Sequence, residues 1–275
     1  MTLAILMPLR SADDLQPETE RALRLHTPEH RLFQVVGLPV DQARNVLTEQ
    51  VLALPNPPDV VLWIDSDAFW GAGAIEALLS TMERHPNYAM MCGAFSMRSP
   101  NFPLVAYLDA EGTNSLRPVP IGQRGGNCFL GDVVQIAVAG FHFAAVRTAA
   151  LRSLGPEPFN VHGATEDFSF CRQVHEAGLE IACATGIVVG HLDADTGLCF
   201  APGQPPYIVQ NGVARSIEER DVAGLRARGV KVTQTRQGLL TEYRSPNRSR
   251  GYGTAVERFY GRSDCSPQER FKISA

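Results

Sequence analysis

The chain has 275 residues, 44% of them hydrophobic and 20% charged, which is ordinary for a globular protein of one large or two small domains. No run approaches the roughly 18 apolar residues of a membrane span, and Met1–Leu9 lacks a basic start, so it reads as a first strand rather than a signal peptide. The six cysteines fall without a CxxC pair, which excludes a zinc ribbon or disulfide framework and fits a reducing cytoplasm, the location expected here.

Strand and helix signals alternate from the start. Leu3–Met7 is apolar and stops at Pro8, residues 17–26 suit a helix, and Leu32–Val36 is a second strand. Asp41 offers an N-cap for a helix over Gln42–Leu54, whose Ala43, Val46, Leu47, Val51 and Leu54 share a face. A strand at 60–64, a helix at Ile75–Met82 and a strand at Tyr88–Phe95 follow. This β-α-β-α-β order predicts an α/β fold with a parallel sheet and right-handed crossovers.

Residues 96–130 turn rich in Pro, Gly, Ser and Asn, with short strands at 104–108 and 116–119 and a loop at 123–127. Strands are expected at Val133–Val138 and Phe141–Val146, with Gly140 marking a bulge or close backbone approach. Helices are expected at Arg147–Leu154 and 165–177, and strands at Ile181–Ala184 and Ile187–Val189, with His191 just beyond. Periodicity is weak after 195, apart from a helix near 216–228, and 244–253 reads as loop.

Charge is uneven. The formal net charge is −4, yet residues 213–275 hold 13 Arg or Lys against 7 Asp or Glu. Only Lys231 and Lys272 are lysines. Arginine suits bidentate phosphate contacts, so this tail could meet nucleic acid or another anionic acceptor, but the excess is modest and packing on the acidic body is the favoured reading.

The stretch Val60-Val61-Leu62-Trp63-Ile64-Asp65-Ser66-Asp67 carries the most chemical information. Five apolar residues read as a strand buried on both faces, so Asp65 and Asp67 must emerge at its C-terminal end. In open α/β sheets that end binds ligands. Two clustered carboxylates are hard oxygen ligands suited to Mg²⁺ or Mn²⁺ holding a diphosphate, and they equally suit a plain polar turn. Thr165 is an N-cap candidate, and Glu166 and Asp167 behind it complement the helix dipole.

Several motifs then fall in one order. Gln42-Ala43-Arg44-Asn45 precedes Asp65-Ser66-Asp67, and Ala139-Gly140-Phe141-His142-Phe143 comes next. After them stand Thr165-Glu166-Asp167-Phe168-Ser169-Phe170-Cys171-Arg172, Glu176-Ala177-Gly178-Leu179-Glu180-Ile181, and Gly190-His191. This order resembles the GT-A glycosyltransferases, in particular the family 2-like bacterial and phage enzymes, over roughly residues 2–195. The resemblance implies a Rossmann-like nucleotide-binding sheet flanked by helices, with a smaller acceptor-side sheet. It divides the chain into a catalytic domain at 1–195 (nucleotide-sugar half 1–98, acceptor half 99–195) and an Arg-rich extension at 196–275 for packing or acceptor binding.

The resemblance also implies roles. Asp67 would bind Mn²⁺ or Mg²⁺, His191 would complete its coordination, and Asp65 would hold the ribose or bridge to the metal through water. Asp167 would be the base for the acceptor hydroxyl, in an inverting transfer, with Glu166 holding donor or acceptor sugar. Pro8, Arg10, Arg44, Ser66 and Arg98 would border the nucleotide sugar, while Gly140, His142 and Trp70 would line the acceptor side. Arg44 reads equally as an exposed helical arginine, whereas Arg98 reads more readily as a solvated loop residue and His142 more readily as a buried, satisfied histidine. A UDP-sugar is the expected donor and a GDP-sugar the alternative, although no acidic residue that would read uracil follows Val36-Gly37-Leu38.

Two other functions fit the same fold class. A sugar-nucleotide nucleotidyltransferase would carry a Gly-rich basic loop after its first strand, and Arg10-Ser11-Ala12-Asp13-Asp14 has no glycine. A DNA-modifying glycosyltransferase would use the basic tail, where Tyr243, Tyr252, Phe259 and Tyr260 lie among arginines, to reach a hydroxylated base.

Overall fold

Buried apolar strands joined by amphipathic helices build the first half in the expected order. In a computed structural model, residues 1–27, 30–98, 104–110, 115–119, 131–161, 165–235 and 238–242 are described. The expected loops at 123–127 and 244–253 and the four tail aromatics lie outside them. Strand β1 (Leu3–Leu9), helix α1 (Pro17–His26), strand β2 (Arg31–Val36), helix α2 (Val40–Leu52) and strand β3 (Val60–Ile64) form the nucleus. β1 pairs in parallel with both β2 and β3. All five residues of β3 are buried.

Helix α2 starts earlier than its sequence suggests. Pro39, held in extended backbone, is the N-cap, so Asp41 lies in the first turn instead of capping it. The buried stripe of α2 is Ala43, Arg44, Leu47, Thr48 and Val51. Arg44 is therefore not an exposed helical residue.

The next stretch holds strand β4 (Ala68–Phe69), helix α3 (Ala74–Arg84) and strand β5 (Tyr88–Ala94). Strands β6 (Ala106–Ala110), β7 (Ser115–Pro118), β8 (Val133–Ile136), β9 (Val138–Ala139) and β10 (Phe143–Arg147) follow. The expected continuous strand at 133–138 is broken at Ala137, whose N–H turns to the Tyr107 carbonyl. β8 joins the main sheet, whereas β9 joins a separate sheet of order β7-β6-β9. β10 enters the main sheet antiparallel, between β3 and β5. The sheet is thus mixed instead of parallel, because a strand buried on both faces looks the same in sequence whichever way it runs.

Helices α4 (Thr148–Ser153) and α5 (Glu166–Glu176) precede strand β11 (Glu180–Val188), one bulged strand in place of the two expected. The seven-stranded sheet has the order β2-β1-β3-β10-β5-β11-β8. Strand β12 (Gly190–Asp193) leaves it and pairs with β4 on one side and β13 (Leu198–Phe200) on the other. With β14 (Tyr207–Gln210) and β15 (Val213–Arg215) these make a five-stranded sheet. Its pairing runs across residue 195, so residues 198–215 share a sheet with the turn after β3. Helix α6 (Glu219–Ala227) and the hairpin β16 (Lys231–Thr235)–β17 (Gly238–Glu242) complete the described chain. Val222 and Leu225 of α6 pack with Leu198, Phe200, Val230 and Val232 in a small second core.

The fold is α/β, and among the described residues no helix is long and apolar enough to cross a membrane. Cys92, Cys171, Cys183 and Cys199 are free, buried thiols.

Two junctions place the site. The Asp65 N–H donates to the His142 carbonyl, and the Leu192 N–H donates to the Asp67 carbonyl. The end of β3 is thereby joined to both β10 and β12. Gly190, opposite Phe69, lets β12 come this close: a Cβ there would run into Cys199 Sγ and stand 2.6 Å from Tyr207 Oη. Gly190→Ala should therefore lower stability by about 1–3 kcal/mol, read as a lower urea midpoint at unchanged m-value. An unchanged midpoint would show that this junction is looser than described.

Candidate active site

One cavity of about 890 Å³ opens where the C-terminal ends of β1, β2 and β3 meet the start of α5, a volume that suits a nucleotide-sized ligand. Pro8, Arg10, Arg44, Asp65, Ser66 and Asp67 line it, as do Arg98, Gly140, His142, Glu166, Asp167 and His191. Trp70 does not. Its ring is 1% exposed and packs against Phe143, with centroids 5.6 Å apart, so it is core beneath the turn and has no place on an acceptor surface. Trp63 is core as expected, against Phe141 and Phe159.

The histidines are held in defined tautomers. The His142 Nε2 lies 3.1 Å from the Gly190 carbonyl, which can only accept, so Nε2 carries the proton. Its Nδ1 is then free to present a lone pair to a cation or, in a doubly protonated ring, a second N–H to the carboxylates. That atom is buried without a hydrogen-bond partner among the described residues, 3.5 Å from Asp65 Oδ2 and 3.4 Å from Asp67 Oδ1. In His191 the Ser96 carbonyl, 3.0 Å from Nδ1, fixes that proton and leaves Nε2 facing Asp67 Oδ2 at 3.3 Å. Lone pairs facing carboxylate oxygens repel unless positive charge stands between them.

The chain supplies part of that charge. Arg98 pairs with Asp67 and donates from Nε to His191 Nε2 at 2.9 Å; it is not a solvated loop residue. Asp193, 2% exposed, stands 3.9 Å from the Arg98 Nη1.

Ligand atoms of Asp67, His142 and His191 all lie within 4.8 Å of one another. One hard carboxylate with two imidazoles, each ring oriented by a backbone carbonyl, is a donor set for a divalent ion such as Mn²⁺. The residues present therefore fit a metal, and the orphaned Nδ1 of His142 is the observation behind that fit. His142 was not marked as a ligand in the sequence. The available signal was a histidine breaking the apolar run Phe141–Phe143, next to a glycine.

Carboxylates occupy two sides of the cavity. On the β3 side, desolvation would raise the Asp65 carboxyl, but the facing His142 ring and then Arg44 hold it down at about 2. Ser66 donates to Asp14 Oδ2 at 3.1 Å, bringing in a carboxylate that the sequence pattern did not single out. On the α5 side, Asp167 is buried and Glu166 is its neighbour. Burial and the Glu166 charge push the Asp167 carboxyl up to about 7, against opposing contacts from Thr165, the Phe168 N–H and Arg44. Gly140 adjoins this wall: a Cβ there would stand 2.8 Å from Phe95 Cζ, closer than packing allows, and 3.6 Å from Asp167 Oδ2, an ordinary contact. A carboxyl that titrates near neutral pH at a cavity wall can take up a proton and release it again.

No protein-family model matches this sequence, and the search of curated proteins finds no match. Solved structures do resemble it. The protein A197 from STIV superposes with a TM-score of 0.56 at 12% identity, covering 80% of this chain and 100% of that one. GalNAc-T7, solved with UDP, GalNAc and Mn²⁺, gives a TM-score of 0.47 at 11% identity over 70% of this chain and 43% of that one. A CMP:2-keto-3-deoxy-manno-octonic acid synthetase complexed with CTP gives 0.36 at 10% identity over 66% of this chain and 89% of that one. At such identities A197 shares the fold alone, and the two looser likenesses carry no further argument.

The Asp167 environment has a thermodynamic signature. The folded chain keeps this proton up to about pH 7, whereas an ordinary carboxyl releases it near 3.8. Folding thus binds an extra proton between those values, and Asp167 costs stability progressively as pH rises through that window. The Tm of Asp167→Asn, relative to the unaltered chain, should climb from about pH 4 to pH 7 and level off above. A Tm difference that is flat with pH would contradict the raised carboxyl.

Proposed function

We propose that this chain is a metal-dependent glycosyltransferase of the GT-A type, moving a sugar from a nucleotide-diphosphate sugar to an acceptor hydroxyl. The observation that carries the reading is the set of two imidazoles, each oriented by a backbone carbonyl and gathered with Asp67, in a cavity also lined by Asp167, whose carboxyl is pushed up to about 7 by burial and the Glu166 charge. A metal centre beside a base suits transfer to a hydroxyl. Nucleotidyl transfer to a sugar phosphate begins from a nucleophile that is already anionic and has less need of the base.

In this reading Asp67, His142 and His191 hold the cation, and His142 joins the ligands in place of an acceptor role. Bound there, Mn²⁺ or Mg²⁺ would stabilise the negative charge that gathers on the departing diphosphate. Pro8, Arg10 and Ser66 border the nucleoside and diphosphate, and Asp65 takes a ribose hydroxyl. Asp167 accepts the acceptor's proton as that oxygen forms its bond to the anomeric carbon. The bond from that carbon to the diphosphate oxygen breaks, and its electron pair leaves with the nucleotide. Inversion needs a base on the face of the sugar away from the leaving group, and this reading gives Asp167 that role. Activity should rise through about pH 7 as Asp167 ionises. A UDP-sugar is the first donor to test and a GDP-sugar the second.

A thermal-shift screen of nucleotide diphosphates with and without Mn²⁺ tests the donor side, since ligand binding to the folded state raises Tm. Tm should rise with a nucleoside diphosphate only when Mn²⁺ is present, and Asp67→Ala and His191→Ala should abolish the rise. Asp167→Asn should keep it while transfer falls by about 10²–10⁴-fold. Near-normal turnover by Asp167→Asn would remove Asp167 from the base role.

A further inference from the structure

Arg44 touches both halves of the chemistry. It projects from α2 into the space between the end of β3 and the start of α5. Its side chain is 3% exposed, with Nη2 3.1 Å from Asp65 Oδ1 and Nε 3.5 Å from Glu166 Oε1. Its guanidinium carbon stands 5.2 Å from the centroid of Trp63, 5.0 Å from Phe141 and 5.9 Å from Phe159. The ring faces attract the cation and hold its plane. Among the described residues Nε and Nη1 have no hydrogen-bond partner, so Glu166 is held by charge and Asp65 is the hydrogen-bond acceptor. An arginine desolvated in this way is expensive unless its charge is needed. The charge it answers is that of Asp65, Glu166 and Asp167, which line the same cavity.

We infer that Arg44 is the positioning residue of the catalytic pair: buried between the end of β3 and the start of α5, it anchors Glu166 against Asp65 and sets a fixed positive charge beside the Glu166–Asp167 pair. This inference rests on the reading of Asp167 as the base. The groups facing Asp167 come from three elements. Glu166 adjoins it on α5, with Cys171 one turn on; the Tyr107 phenol approaches from β6, pushed up to about 12 by burial and by Asp167; Arg44 comes from α2. Thr165 and the Phe168 N–H both donate to Asp167 Oδ1. Of the charged members of this set, Arg44 is positive and Glu166 negative. Removing either therefore moves Asp167 in opposite directions, which general loosening of the fold would not do.

The test is a ¹³C NMR titration of the full chain labelled at aspartate carboxyls, without added ligand, with the Asp167 signal assigned by its loss in Asp167→Asn. In Arg44→Met, which keeps the bulk over the aromatic rings, the Asp167 midpoint should rise by about one pH unit; in Glu166→Gln it should fall by a similar amount. Arg44→Lys should restore most of the shift, and Glu166→Gln keeps the test decisive if Arg44→Met does not fold. Midpoints unmoved in Glu166→Gln and in every Arg44 variant that folds would overturn the inference and leave the proposed transfer standing. Opposite shifts combined with full transfer activity in Asp167→Asn would uphold the electrostatic link and remove its catalytic meaning.

Discussion

Two backbone carbonyls, at Gly190 and Ser96, decide what this site can do. By accepting the protons of His142 Nε2 and His191 Nδ1 they turn the other nitrogen of each ring toward Asp67. Electron pairs gathered in this way, in a buried pocket, call for a cation. Arg98 answers that need in part from within the chain. A divalent ion would answer it more fully, because it can accept both imidazole lone pairs and the carboxylate at once. The rest of the architecture serves this convergence. β10 brings His142 beside Asp65, and β12, lying against β4, brings His191 beside Asp67.

The acids are separated by environment. Asp65 keeps about a third of its side chain open and faces the His142 ring and the Arg44 guanidinium, which hold it down at about 2, so it stays ionised. Asp167 is buried beside Glu166 and holds its proton to about pH 7. Arg44 lies between the two sides, its buried guanidinium 3.1 Å from Asp65 and 3.5 Å from Glu166. This division, with permanent charge on one wall and a carboxyl titrating near neutrality on the other, is what a reaction needs when it gathers charge on a leaving diphosphate and removes a proton from an incoming hydroxyl.

Much of this was legible in the residues, for specific reasons. Five apolar residues ending in Asp65-Ser66-Asp67 can only be a buried strand that delivers its acids at one end, and Thr165-Glu166-Asp167 had the look of a helix start. Other features depended on tertiary partners. The direction of β10 was hidden because Phe143–Val146 is buried on both faces. The place of Arg44 was hidden because the buried stripe of α2 is two residues wide, so a polar residue at its margin can face either way. His142 reads as a satisfied histidine from one nitrogen and as a ligand from the other, and only the position of the Gly190 carbonyl separates the two. Trp70 misled because an aromatic near an acidic turn resembles a sugar platform, whereas the short β4 sends it into the core.

The central claim is that Asp67, His142 and His191 converge on a divalent cation. Crystals of the full chain grown with Mn²⁺ and a nucleoside diphosphate, measured at the manganese absorption edge, test it most directly. The account predicts an anomalous peak within coordination distance of an Asp67 carboxylate oxygen, His142 Nδ1 and His191 Nε2, with the diphosphate completing the shell and Arg98 moved off Asp67. A nucleotide bound in the cavity with no anomalous peak among these three residues would contradict it.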